Sequence, residues 1–310
     1  MTQRERFSSS AASLRNIIAT TGTPFKLVYI DANSPPDIGH EIEAICHEYG
    51  FTYVRKDEYL SPNCARNIGL SLSATRYVAF VDNDLYADQD WLQQLLVCAR
   101  ATNAWAVGPV ILEGTSRLRV VHMAGGTLAE TQENGKTTVT CGHRYMKQPL
   151  RLLRGKMVRE PTGYFEFHCV LVRTDVFAQR QFLDEGLMCN NEHVDLAREI
   201  HRSGGQIYFE PTSVVRYDTA SPFQACDREF FELRWSQEWS DASIAHIKSK
   251  WGLAEDDASM QKLSDWTARH RLLFQQSQKS WLRQNLPIVV RRTLGHWLRQ
   301  RSLLTKNNAH

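Results

Sequence analysis

Along the first two-thirds of the chain, short apolar runs alternate with stretches whose apolar residues return every three to four positions. Leu14, Ile17 and Ile18 share one face of a helix that Ser8-Ser9-Ser10 can cap and that Gly22 and Pro24 end. Phe25 to Ile30 is the next apolar run, ending in Asp31, and Asn33-Ser34-Pro35-Pro36 turns the chain away. Ile38, Ile42 and Ile45 mark a helix from Asp37 to Tyr49 stopped by Gly50, and Phe51 to Val54 reads as a short strand. Ser61 and Pro62 have the character of an N-cap and first helical residue, with Arg66 one turn in. Val78 to Val81 is apolar at every position and reads as a strand covered on both faces. Asp88 is expected to cap a helix bearing Trp91, Leu92, Leu95 and Leu96, and Ala104 to Leu112 is a further buried strand. The alternation predicts an α/β fold with a mostly parallel sheet flanked by helices.

From Glu113 to Arg159 the pattern loosens around Gly125-Gly126 and Asn134-Gly135, and a hairpin or flexible insertion is expected. Phe165 to Val172 restores a strand, Glu192 to Ile200 a helix ended by Ser203-Gly204-Gly205, and Gln206 to Phe209 a short strand closed by Pro211. Asp227 to Ser240 carries Phe230, Phe231, Leu233, Trp235 and Trp239 at helical spacing, and a second helix runs from Ser243 to Lys250. Packing against the sheet explains these aromatics without a ligand; sugar stacking is the sharper alternative. From Trp266 to His310 there is no acidic residue, while Arg269, Arg283, Arg291 and Arg299 alternate with Trp281, Val289, Leu294 and Trp297. Such a basic amphipathic tail suits either an anionic membrane surface or docking on its own domain or a second subunit.

Chemistry enters at the end of the Val78 to Val81 run, where Asp82-Asn83-Asp84 sets two carboxylates one residue apart. The carboxyl end of a strand in an open α/β sheet is where ligands bind, and such oxygens suit Mg²⁺ or Mn²⁺ and, through the ion, phosphate. A polar turn starting the next helix is the plain alternative. The net charge of +3 over 310 residues is too small to argue for nucleic acid. Seven scattered cysteines never form C-x-x-C, so neither a zinc cage nor a disulfide framework is suggested, and most are expected as buried thiols. No signal peptide or membrane-spanning run is evident, and a cytoplasmic protein, peripheral to the inner face of the membrane if the tail binds there, is expected.

In order, Asp31, then Ala65-Arg66-Asn67-Ile68-Gly69, Phe80-Val81-Asp82-Asn83-Asp84, Phe182-Leu183-Asp184-Glu185, Glu192-His193-Val194-Asp195-Leu196 and Gly205 to Pro211 resemble family 2 glycosyltransferases of the GT-A fold. The resemblance runs from about Arg4 to Tyr217. It implies a nucleotide-diphosphate sugar donor, a UDP-sugar being favoured, a divalent cation, and inverting transfer to a hydroxyl of a glycan or lipid-linked acceptor in polysaccharide or glycoconjugate assembly. Carried onto this sequence, Asp31 and Arg66 match donor-binding positions, and Asp82, Asn83 and Asp84 the D-x-D segment, with Asp84 and Asp82 as metal ligands. His193 takes the place of the Asp in the family's Glu-Asp pair, so His193 or Glu192 is the expected base with Asp195 in support. The strand that opens the family has no counterpart ahead of Thr2, and Val215-Arg216-Tyr217 stand where a histidine is common. Three regions are expected: a catalytic domain over 1–220, a helical segment packed on it over 221–265, and the tail over 266–310. A non-catalytic relative serving as a binding or scaffold protein is the alternative function. A nucleotidyltransferase is a weaker third, disfavoured by the Glu192 to Leu196 motif.

Overall fold

The structure, a computed structural model, describes residues 1–114, 119–133, 135–153, 155–178, 182–219 and 221–276. Met1–Arg271 is one compact unit and Leu272–His310 a second. Residues 277–310, and with them most of the basic tail, lie outside the described residues.

In the first unit the elements run α1 (Ser10–Thr20), β1 (Val28–Ala32), α2 (Pro36–Glu48), β2 (Thr52–Lys56), α3 (Pro62–Ser71), β3 (Tyr77–Val81), β4 (Leu85–Ala87), α4 (Trp91–Thr102) and β5 (Ala106–Glu113). Next come β6 (Val120–Met123), β7 (Gly126–Glu133), β8 (Lys136–His143), β9 (Glu160–Pro161), β10 (Cys169–Arg173), α5 (Glu192–Arg202) and β11 (Ile207–Tyr217). Three helices close the unit, α6 (Arg228–Arg234), α7 (Gln237–Trp251) and α8 (Ala258–His270). The apolar runs become strands because their side chains find cover on both faces: the first seven residues of β5 are all buried.

The main sheet has the order β3-β10-β5-β11-β4, with β6 beside β5 and β9 beside β11. It is mixed, where a mostly parallel sheet was expected: β10 runs antiparallel to both β3 and β5, whereas β5 and β11 are parallel. A strand covered on both faces reads the same in either direction, so the apolar run from Phe165 to Val172 carried no sign of its reversal. β11 also continues through Pro211, the expected stop. A bulge between Glu210 and Val214 absorbs the proline, and Pro109 of β5 faces Glu210 at its edge. The looser stretch after Glu113 contains the β7–β8 hairpin, seated on the core where Gly163 N–H donates to Gly126 O at 2.8 Å. A Cβ on Gly163 would lie 2.3 Å from Leu128 N, so only glycine admits this approach.

The parallel pair β1–β2 joins the main sheet through the start of the chain. Thr2 bridges in parallel to Ile30 on one side and to Asp82 on the other. Thr2 N–H donates to Val81 O at 3.1 Å, Ile30 N–H to Met1 O at 3.0 Å and Asn83 N–H to Thr2 O at 3.0 Å. The strand position for which the sequence offered no counterpart is therefore held, over one residue, by Thr2 itself. Asn83, wholly buried, fastens the residues after Thr2: its Oδ1 accepts from Arg4 N–H at 2.9 Å, and its Nδ2 donates to Arg6 O at 2.7 Å and Ser10 Oγ at 2.8 Å.

The aromatic stretch forms two helices where one was expected over Asp227 to Ser240, because Ser236 caps α7 by accepting from Trp239 N–H. Phe230, Phe231, Trp235 and Trp239 are buried, as packing required. The boundary expected at residue 266 falls inside α8, which Asp257 caps and whose Thr267 is fully buried, so the compact unit continues to Arg271. Four of the seven cysteines are buried, Cys141 is exposed and all seven are free. Among the described residues no helix is long and apolar enough to cross a membrane.

Asn83→Ala is expected to strand three buried polar groups at once. Each such group costs about 1–3 kcal/mol. The urea midpoint should fall by the equivalent of at least about 2 kcal/mol with m unchanged.

Candidate functional site

The site gathers at the carboxyl end of β3. Asp82 and Asp84 are each 1% exposed, an arrangement that water cannot relieve and that neighbouring charges must. Asp82 Oδ1 meets Arg66 Nη2 at 3.4 Å, and its Oδ2 is approached by His168 Nδ1 at 3.3 Å and Arg4 Nη1 at 3.6 Å. Burial alone would raise the Asp82 pKa; the His168 contact, Arg66 and Arg4 outweigh it and hold the carboxyl below its usual range. Asp84 has the opposite fate. Burial pushes it up to about 7, with Asp82 and Glu5 adding to the rise against Arg4, and its Oδ1 has no hydrogen-bond partner among the described residues.

Asp82, Asp84 and His168 bring one ligand atom each within 4.8 Å of one another. A buried carboxylate oxygen without a donor, a second carboxylate and an imidazole form a donor set that fits a divalent cation. His168 lies just before β10 and lines the turn that Asp82 begins, since Asp82 N–H donates to His168 O at 3.1 Å. It was not singled out in the sequence, where Phe165-Glu166-Phe167-His168-Cys169 reads as the start of a buried strand. Tyr217, standing where a histidine was looked for, stacks on the His168 ring with centroids 4.1 Å apart. Burial first and the Arg4 charge second lower His168 to about 4, so its imidazole is neutral.

α3 and α5 flank the acidic turn. Arg66, 3% exposed, lies over the Phe167 ring at 4.1 Å and reaches Glu192 Oε1 with Nη1 at 3.5 Å. Arg234 of α6, another residue that sequence reasoning missed, reaches the same oxygen with Nη2 at 3.5 Å. Burial raises the Glu192 pKa less than Arg66 and Arg234 lower it, so this carboxylate is held ionised. Arg66 Nε and Arg234 Nε and Nη1 have no hydrogen-bond partner among the described residues, which leaves donors at a buried cationic pair. His193, next to Glu192, stacks against Tyr164 with centroids 6.0 Å apart, and burial lowers its pKa below the usual value.

Two expected site residues have their oxygens taken up by partners within the protein. Asp31 is fully buried and accepts from Gln3 Nε2 at 2.8 Å, Ser34 N at 3.0 Å, Ser34 Oγ at 2.8 Å, Tyr53 OH at 2.5 Å and Arg55 Nη1 at 2.6 Å. Asp195 accepts from Lys250 Nζ at 2.7 Å and Trp251 Nε1 at 2.9 Å, tying α5 to α7. The Leu183-Asp184-Glu185 segment is fixed by α3: Asn63 Nδ2 donates to Asp184 O at 2.8 Å, and Asn67 Nδ2 to Leu183 O at 2.9 Å and Glu185 Oε1 at 2.8 Å.

The sequence model for Glycosyl transferase family 2 matches residues 8–179, more than half of the chain. The chain belongs to glycosyl transferase family 2. Among solved structures, GalNAc-T7 with UDP, GalNAc and Mn²⁺ is similar at 16% identity and a TM-score of 0.53, over 91% of this chain and 56% of that one. Residues 1–349 of TarS from S. aureus are similar at 15% identity and a TM-score of 0.50, over 92% of this chain and 72% of that one. A longer TarS chain gives 14% identity and a TM-score of 0.50, over 93% of this chain and 45% of that one. These likenesses show the GT-A fold, and this chain spans little more than half the length of the GalNAc-T7 chain. No curated protein sequence matches it.

The raised Asp84 pKa fixes the sign of a pH dependence. The folded protein keeps this proton up to about pH 7 while the unfolded chain releases it near 3.8, so the Asp84 contribution is full below 3.8 and is lost as pH rises toward 7. Without added cation, wild-type stability relative to Asp84→Asn should fall across that window at about 1 kcal/mol per pH unit. Chemical denaturation of both proteins at a series of pH values reads the difference.

Proposed function

We propose that this family 2 member transfers a sugar from a nucleoside-diphosphate donor to a hydroxyl acceptor with inversion at the anomeric carbon. The observation that carries this reading is the pair of buried carboxylates, Asp82 and Asp84, placed beside His168 with an oxygen lacking a donor. The GT-A relative GalNAc-T7 was solved with UDP and Mn²⁺, which supports a UDP-type donor and a divalent ion here. Asp82, Asp84 and His168 would hold that ion. Bound there, Mn²⁺ or Mg²⁺ supplies positive charge to a diphosphate leaving group.

The chain's own residues divide the remaining work. Arg66 and Arg234, with donors left over, orient an anion beside the acidic turn. Asp31 and Asn83 are assigned to the donor side: Asp31 shapes the nucleoside end with Tyr53 and Arg55, and Asn83 holds the turn in register. His193 is the better base of the two candidates. Its imidazole is kept neutral by burial and can accept the acceptor proton, whereas Glu192 is committed to two guanidiniums. Asp195 positions both by anchoring the helix they begin. Assembly of a polysaccharide or glycoconjugate, with a glycan or lipid-linked acceptor, is the proposed setting.

Titration calorimetry with UDP and Mn²⁺ should show cation-dependent binding in the wild type and none in Asp84→Ala. Undiminished binding in that variant would remove the site from β3, and no binding of any nucleoside diphosphate by wild type would favour a non-catalytic role. His193→Ala should lower kcat by about 10²–10⁴-fold with donor affinity kept. The lowered His193 pKa places the acid limb of the wild-type pH profile below 6.5. Near wild-type kcat in both His193→Ala and Glu192→Gln would acquit the two.

A further inference from the structure

Beside the acidic turn lies a second convergence of ligating side chains, drawn from three separate segments. His122 comes from β6, His143 from the last position of β8, and Glu166 and His168 from the segment before β10. All three rings meet the same carboxylate. His122 Nε2 stands 3.3 Å and His168 Nε2 3.2 Å from Glu166 Oε2, and His143 Nε2 lies 2.9 Å from Oε1. The ligand atoms of His122, Glu166 and His168 all fall within 4.8 Å of one another.

We propose that His122, His143, Glu166 and His168 form a second cation site, adjoining that of Asp82 and Asp84 through the shared His168 and suited to Zn²⁺, which clasps the hairpin insertion to the core. Three imidazoles and one carboxylate are a donor set that Zn²⁺ takes in four-coordinate form. Metal bonds of about 2.0–2.1 Å give a tetrahedron with edges of about 3.3 Å. The two closest His–Glu separations to Oε2, at 3.2 and 3.3 Å, match such an edge, so little rearrangement is required.

The surroundings of the rings point the same way. A ligating histidine characteristically gives its other ring nitrogen to a carboxylate or a similar acceptor, which fixes the ring and aims the free lone pair at the metal. His122 fits this pattern, with Nδ1 facing Glu113 Oε2 at 3.6 Å and Tyr217 OH at 3.2 Å, whereas His168 stands between the two groups, with Nδ1 3.3 Å from Asp82 Oδ2 and Nε2 toward Glu166. Both rings turn Nε2 toward Glu166. Arg4 Nη1 lies 3.0 Å from His168 Nε2, and a cation at the site shifts that guanidinium onto Glu5 and Asp82, which already flank it.

Co²⁺, which reports four-coordinate geometry through visible absorption, is the probe. After extraction with chelator, the full chain should bind one equivalent of Co²⁺ with intense visible bands that survive in Asp84→Asn. The bands should be lost in Glu166→Gln, and Co²⁺ affinity should fall at least about tenfold in His143→Asn, whose partly exposed ring keeps the test open if the first variant does not fold. Absence of such bands in the wild type overturns the proposal. So do bands that vanish in Asp84→Asn and persist in Glu166→Gln, because the ion would then sit with Asp82 and Asp84. Since Asp84→Asn disables the other site, failure of the zinc site and failure of the donor site are read separately.

Discussion

Putting two carboxylates into the interior one residue apart is the constraint to which much of the remaining structure answers. Neither Asp82 nor Asp84 can be hydrated, so the compensating charge has to come from the protein. It comes from far along the chain, Arg4 from the first residues and Arg66 from α3, and His168, from the approach to β10, adds a neutral hydrogen-bonding contact. Compensation is unequal. Asp82 takes nearly all of it and is held ionised, while Asp84 carries the raised pKa and the oxygen without a donor. An asymmetric pair of this kind retains one strong unmet demand for positive charge in the place where a ligand would sit.

The residue between the two carboxylates makes the arrangement cooperative. Asn83 binds Arg4, Arg6 and Ser10 at once, so the turn and the first ten residues order together. The same residues bring Arg4 to Asp82 and Gln3 to Asp31. Thr2 then carries the β1–β2 pair into register with β3. Local backbone pairing, charge compensation and the union of the two parts of the sheet are thus one event.

Much of this was legible in the sequence wherever the signal is local. The helix begun by Ser61 and Pro62, the apolar run into Asp82 and the helix begun at Glu192 stand where periodicity and end signals put them. What escaped depends on partners distant in sequence. β4 is three residues long and exists because β11 pairs with it. The direction of β10 is set by its neighbours, not by its own composition. His168 and Arg234 are buried among partners from other segments, Asp82 for the one and Glu192 for the other, and their own sequence neighbours carry no sign of these meetings.

The region after Ser221 illustrates how far a site can extend past the segment that identifies a family. The family match ends at residue 179, yet the charges that fix α5 come from beyond it. Arg234 of α6 shares Glu192 with Arg66, and Lys250 and Trp251 of α7 hold Asp195, while His246 and Lys250 hold Asp184 at 3.0 and 2.6 Å. Burial drives Asp184 upward, but these two bases overcome it and bring the carboxyl down to about 2. Take these helices away and three carboxylates around α5 lose partners together, Glu192 keeping Arg66 alone of its two guanidiniums. The fixed charge of Glu192, on which the proposed division of work with His193 rests, is therefore held in common by Arg66 of α3 and Arg234 of α6, the second of them well beyond the span of the family match.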